Sequence, residues 1–266
     1  MSKAFSFIRS EFQIQFRSIL GWSIAIFSIV SLTNAFFPSI KGSEELDQIF
    51  DQLPEALQPL FGNAQLSTPM GYLLTETYLF FLPAVLLVYA IGRGAYSLAG
   101  EEEAGTLDLL LAQPISRIRL YFLKSITLSL TLIWLSFLAL LPTLLYGPFF
   151  QIEIPAINLI SITIALSALV LFFGLLSQGI SAATGSRAIG IASAASFAFL
   201  SYLIDGLGQA IEWLEKFRVI SPWKWYNASG SLFDTDFLQG SLILIFSGLI
   251  FKVIGITRFN KRNLAS

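Results

Sequence analysis

Hydrophobic positions in this chain arrive in long blocks, without the 3.6- or 2.0-residue periods of half-buried helices and strands. Six blocks stand out, at about Ile19 to Pro38, Tyr72 to Ile91, Leu120 to Leu145, Ile157 to Ala182, Ile189 to Ile204 and Leu238 to Ile256. A bilayer core of roughly 30 Å needs about 20 apolar residues at about 1.5 Å rise each. The pattern therefore predicts an all-α integral membrane protein with six transmembrane helices, solvated by lipid on many sides. The fifth block is the shortest, and Thr184-Gly185-Ser186-Arg187 separates it from the fourth, which predicts a tight hairpin rather than one long helix.

The segments between the blocks carry weaker patterns. Residues Ser2 to Ser18 place Phe5, Ile8, Phe12 and Phe16 on one stripe and Arg9, Gln13 and Arg17 on another. This predicts an amphipathic interfacial helix over residues 1–18, ahead of a six-span domain over 19–266; a basic tail flanking the first span is the simpler alternative. The stretch Ser39 to Met70 is acidic, and Leu46, Ile49, Phe50, Leu53, Leu57, Leu60 and Phe61 recur at helical spacing around Pro54, predicting two short amphipathic helices. Trp213, Phe217, Trp223, Trp225 and Tyr226 gather before the sixth block, as rings do in an interfacial belt.

Charge sets the orientation. An even number of spans puts both termini on one side, and that side holds Lys3, Arg9, Arg17, Arg93, Arg117, Arg119, Lys124, Arg187, Lys252, Arg258, Lys261 and Arg262. Only Lys41, Lys216, Arg218 and Lys224 lie opposite. The bias predicts cytoplasmic termini. Composition removes several function classes. With 12% charged residues, no Cys and no His, the chain has neither a soluble enzyme's surface nor the base of a Ser-His triad, nor the ligands of the usual soft metal sites. No catalytic or metal-binding set is expected, and the net charge of −1 offers nothing to nucleic acid.

The informative connector joins the second and third blocks: Gly100-Glu101-Glu102-Glu103-Ala104-Gly105-Thr106-Leu107-Asp108-Leu109-Leu110-Leu111-Ala112-Gln113-Pro114-Ile115-Ser116-Arg117. Gly105 breaks the preceding helix, Thr106 is placed to cap a new one, and Pro114 stops it at Gln113. The new helix is about two turns long, roughly 10 Å, with Leu107, Leu110 and Leu111 on one face. So short a helix is not stable alone and must dock. Three carboxylates beside an anionic leaflet need cations, from Arg93, Arg117 and Arg119 or from another protein. Ser116 caps the third span. On the residues alone, a stiff knob that transmits motion and a loop dipping its leucines into lipid serve equally.

The connector resembles the signature of the permease subunits of ABC type-2 exporters. The matching positions are Glu101, Glu103, Gly105, Thr106, Leu107, Asp108, Leu110, Leu111, Pro114, Ile115, Ser116 and Arg117. Many relatives carry Arg or Lys where this chain has Glu102. Leu53-Pro54-Glu55-Ala56-Leu57, Gly71-Tyr72-Leu73 and Ser221-Pro222-Trp223-Lys224-Trp225-Tyr226-Asn227 also look family-like, so the resemblance covers nearly the whole chain. It implies that the short helix is a coupling helix seated in a cleft of a separate ABC ATPase subunit. It further implies two permeases, most simply identical, with two ATPases in the cell (cytoplasmic) membrane. This chain has no G-x-x-x-x-G-K-[ST] and so no loop to cradle ATP phosphates. ATP and Mg²⁺ are thus expected in the partner, with no cofactor and no enzymatic activity of this chain's own.

Two rivals are weighed against that reading. An ion-coupled secondary transporter keeps carboxylates or broken helices near the midplane, whereas Glu76 and Asp205 fall near outer span ends and Gln178 near an inner end. Asn34 and Glu76 are the candidates for a substrate pathway. A membrane subunit that relays ATPase motion to another protein, without transport, would share the connector. Small residues in the fifth and sixth spans (Gly190 and Ala194; Ser241, Gly248 and Gly255) predict close helix packing, inside the chain or between copies.

Overall fold

The computed structural model describes residues 3–43, 48, 52, 54, 57, 58, 66–112 and 115–262. Among them, six helices are long and apolar enough to cross a membrane. They are α1 (Lys3–Phe36), α2 (Pro69–Glu103), α4 (Arg117–Phe150), α5 (Ala156–Thr184), α6 (Arg187–Leu207) and α7 (Leu238–Lys261), with the short α3 (Leu107–Leu111) between the second and third. The predicted all-α bundle of six spans is the observed fold. The two amphipathic helices expected around Pro54 fall mostly outside the described residues.

α5 occupies the centre. Of its most apolar stretch 83% is buried, against 17% for α1, and α7, α2, α6 and α4 all pack on it. Glycines make this possible. A side chain on Gly94 of α2 would strike the Gly174 backbone of α5, and one on Gly179 would strike the Phe251 backbone of α7. Gly190 closes on Ser181, Gly248 on Phe172 and Gly255 on Gly179. The small residues of the fifth and sixth spans therefore serve internal packing against α5, where close backbone approach maximises dispersion contacts that lipid cannot supply. Gln178 is fully buried in the same core. Its Nε2 donates to Ser97 Oγ at 3.0 Å and its Oε1 accepts from Ser125 Oγ at 2.8 Å, joining α2, α4 and α5.

Two elements depart from the sequence expectation. The interfacial helix and first span are one element, because α1 runs through Ser18 without interruption. No proline and a single glycine, Gly21, lie within it, so nothing ends the backbone hydrogen-bond ladder. At about 51 Å it is longer than a bilayer core, and Phe7 near its start packs on the apolar cluster that includes Leu98 and Leu120. The second departure is in α2, which is not uniformly α-helical. Leu73–Leu79 and Tyr96–Gly100 are wound as π-helix, and Phe80 breaks the ladder at φ −134°, ψ −49°. Pro83 explains the first break, since it has no N–H for the carbonyls before it. In the i→i+5 register the donor owed to the Tyr78 carbonyl would come from residue 83. Tyr226 supplies it instead, its hydroxyl donating to Tyr78 O at 2.8 Å.

That contact corrects the expected aromatic belt. Trp213 and Phe217 are exposed, as interfacial anchors would be. Trp223 and Tyr226 are buried: Trp223 Nε1 donates to Ala198 O at 3.0 Å, and Ser221 Oγ donates to Ser201 O at 2.8 Å. The loop before α7 thus plugs into α2 and α6, because rings with polar tips can fill apolar space while satisfying carbonyls left open by irregular helix.

Candidate functional site

The site is assembled at the end of the bundle where α1 begins and α7 ends. α2 leaves the core as Glu101-Glu102-Glu103 and stops at Gly105, whose φ of +69° is the left-handed conformation a helix stop requires. Gly105 N donates to Glu102 O at 3.0 Å and Thr106 N to Glu101 O at 2.9 Å, a paired arrangement that satisfies the last carbonyls. Thr106 stands at the start of α3, but its side chain does not cap that helix. Its hydroxyl turns back and donates to Glu101 Oε2 at 2.6 Å and to Glu101 O at 3.1 Å, so it closes the turn behind it. Ser116 does cap α4 as expected, accepting from Arg119 N at 3.3 Å.

Consecutive helix residues point about 100° apart, and the three glutamates use this to reach three different elements. Glu101 Oε1 accepts from Lys124 Nζ of α4 at 2.6 Å. Glu102 pairs with the Arg262 guanidinium just past α7. Glu103 Oε1 accepts from the Arg187 backbone N–H at the start of α6, at 2.9 Å. Lys124 extends the set, since its ammonium also reaches Glu11 Oε1 of α1 at 2.7 Å. One buried cation therefore holds two carboxylates and ties α1, α2 and α4 together. Arg117 joins from the other side, donating from its guanidinium to Arg262 O at 2.9 Å.

The cations in direct contact with the acids are thus Lys124 and Arg262; of the expected Arg93, Arg117 and Arg119, Arg93 also acts on Glu101 through space. Proximity in sequence misled here: Arg117 and Arg119 lie a few residues past α3, yet the fold turns α4 so that Lys124, a turn deeper, faces the glutamates. Glu11 was missed altogether. Its signal was present, as the lone acid of residues 1–18 together with a lone lysine inside an apolar span.

α3 docks, but on its own chain. Leu107 is 1% exposed and joins Leu98, Leu120, Tyr121, Ala182 and Phe259, with Leu110 and Leu111 packed at the edge. The helix spans Leu107–Leu111, shorter than the expected run to Gln113; Gln113 and Pro114 lie outside the described residues. With its other leucines turned inward, α3 presents Leu109, 71% exposed, and Asp108 to the outside.

The sequence model of the ABC-2 family transporter proteins matches residues 6–264. The chain belongs to the ABC-2 transporter family. No curated protein matches the sequence. The chain is thus a transmembrane permease component, and the connector around Glu101–Arg117 joins the second and third spans of an ABC-2 permease.

The two pathway candidates are not brought together in this permease. Asn34 is fully buried against α4, with Nδ2 donating to Thr143 Oγ1 at 3.1 Å. Glu76 is exposed in the π-helical stretch of α2 and lines a cleft of about 560 Å³ with Ile29, Thr33, Phe36 and Tyr72. Asn34 does not line that cleft. Asn34 makes a contact between α1 and α4, while Glu76 opens at the end of the bundle opposite the chain termini.

Proposed function

We propose that this chain is the permease of an ATP-binding cassette exporter, driven by a separate ATPase subunit that seats on the exposed side of α3. The observation that carries the reading is the pairing of an outward Leu109 with three inward glutamate contacts behind it. A push on α3 meets a knob too short to flex and packed on Leu98, Leu120, Tyr121 and Phe259. Behind the knob, Glu101, Glu102 and Glu103 pass displacement to α4 and α1, to α7 and to α6 respectively. Closure of the ATPase would thereby rock several spans as one, which is what alternating access demands of a coupling element.

The supporting case is chemical as well. The chain has no phosphate-cradling loop, so ATP and Mg²⁺ belong to the partner. The bias of Lys and Arg to the terminal side supports a cytoplasmic connector and cytoplasmic termini, on the side where such a partner resides. The assembly is two copies of this chain with two ATPases, in the cell membrane. No carboxylate sits near the centre of a span, which disfavours an ion-coupled carrier.

The test is copurification in mild detergent from native membranes. An ATP-binding partner should accompany the native chain and fall at least about ten-fold with Leu109→Asp, the loss of one anchoring contact. Leu109 is the proper probe because its removal leaves the internal cluster intact. Undiminished capture with Leu109→Asp would move the docking surface elsewhere, and absence of any ATP-binding partner would end the reading.

A further inference from the structure

Glu76 carries a charge that this chain does not balance. It stands four residues inside the apolar block that begins at Tyr72, exposed in the cleft of about 560 Å³ between α1 and α2. Leu32, Phe36, Leu66, Tyr72 and Phe81 share the lining and place three rings in it. The end of the bundle opposite the termini has four cations, Lys41, Lys216, Arg218 and Lys224, and each is engaged elsewhere. Lys41 donates to Gln151 Oε1 at 2.8 Å, Arg218 pairs with Asp205 at 3.0 Å, and Lys224 lies over the Trp225 ring. Lys216 lines a separate cleft with Glu212 and Glu215. Residues 44–65 contain no Lys or Arg, so the connection from α1 to α2 has no second cation to offer. Glu76 does act through space on Tyr72, but that hydroxyl is neutral and donates to Thr33 O at 2.7 Å.

We infer that this cleft binds an amphiphilic organic monocation, its charged centre on the Glu76 carboxylate and its apolar body among Phe36, Tyr72 and Phe81.

Charge, donor set and size select this class. A carboxylate close to hydrocarbon is costly to keep, and a cation brought beside it gains more than it would in water. Ring faces attract the same charge, and quaternary ammonium centres are the cations that aromatic sites favour. A bare Ca²⁺ or Mg²⁺ needs about six oxygens. The cleft offers few besides the carboxylate, since the Tyr72 hydroxyl is turned to Thr33 O and Thr33 Oγ1 donates to Ile29 O at 3.0 Å. A zwitterionic lipid headgroup brings a phosphate with its cation, and among the described residues no Lys or Arg lines the cleft to receive it. The volume falls within the roughly 300–1,000 Å³ of sites for drug-sized molecules. Binding is a property of this chain alone; that the bound cation is exported cargo rests on the exporter reading.

The experiment is equilibrium binding of tetraphenylphosphonium to the full chain in phosphatidylcholine nanodiscs, with empty nanodiscs subtracted. Glu76→Gln should weaken binding about ten-fold, the loss of one charge-assisted contact, and Glu76→Asp should retain most of it. Phe36→Ala and Phe81→Ala should each weaken it about three-fold. Dodecyltrimethylammonium should displace the probe, whereas dodecylphosphocholine, with the same tail and an added phosphate, should not. Glu76 is exposed and in no ion pair among the described residues, so Glu76→Gln should leave thermal unfolding unchanged and a loss of binding is not a loss of fold. Equal binding by Glu76→Gln would mean a carboxylate merely solvated at the rim, and overturn the site. Displacement by dodecylphosphocholine would overturn it by showing a site for zwitterionic lipid. A carbodiimide cross-link from Glu76 to a lysine of a second copy would overturn it too, because protein would then supply the cation. None of these results touches the coupling to an ATPase, which capture with Leu109→Asp tests separately.

Discussion

Lys124→Met tests whether the charge cluster behind the connector holds α1, α2 and α4 together. Lys124 is 4% exposed in its side chain, and the two carboxylates it serves, Glu11 and Glu101, are 8% and 18% exposed. Contacts of 2.7 and 2.6 Å place both acids around one ammonium. Removing the cation leaves two poorly solvated carboxylates roughly 5 Å apart, repelling by about 3 kcal/mol at an effective dielectric near 20. Breaking a buried pair by deleting one partner costs about 3–5 kcal/mol, and at about 2–4 °C per kcal/mol for a chain of this size the melting temperature should fall by roughly 10 °C. Glu11→Gln or Glu101→Gln alone should cost only about 1 kcal/mol, because each leaves a one-to-one pair. The triple variant Glu11→Gln, Lys124→Met, Glu101→Gln should recover to within about 3 °C of the native chain, since a neutral cluster has no charge left to solvate. The assay is thermal unfolding in detergent at fixed lipid content. A triple variant as unstable as Lys124→Met would refute the reasoning, because the loss would then be one of shape.

Other outcomes follow from particular contacts. Leu107→Asp should unfold the connector, lowering the melting temperature by at least about 6 °C through a buried charge and lost packing, whereas Leu109→Asp should shift it by less than about 2 °C. Tyr226→Phe deletes the donor to a carbonyl that Pro83 cannot serve, and should cost about 1–2 kcal/mol by thermal unfolding; no change would mean that the wide turn pairs its carbonyls internally. Gly94→Val should cost at least about 1–3 kcal/mol by forcing α2 off the Gly174 backbone, and a neutral result would show that the two helices are not in close contact. Because the chain has no native cysteine, single cysteines at Ser2 and Ser43 can be labelled from one side at a time. Ser2 should react only from the cytoplasm and Ser43 only from outside; the reverse would invert the proposed orientation.

The number of spans, the all-α class and the position of the connector were legible in the sequence, for one physical reason. A lipid environment demands contiguous apolar runs and internally paired backbone, so span count follows from composition along the chain. The break at Gly105 and the cap at Ser116 were equally local, each requiring a backbone conformation or a side-chain acceptor that few residues supply. What the sequence could not decide was direction. That Leu107 turns inward and Leu109 outward, that Lys124 rather than Arg117 or Arg119 meets Glu101, and that Glu11 completes the cluster all depend on how helices rotate about α5. That rotation is set by close contacts among Gly94, Gly174, Gly179 and Gly255, residues far apart in the chain. Only the tertiary structure brings them together, and with them the three glutamates onto three different helices.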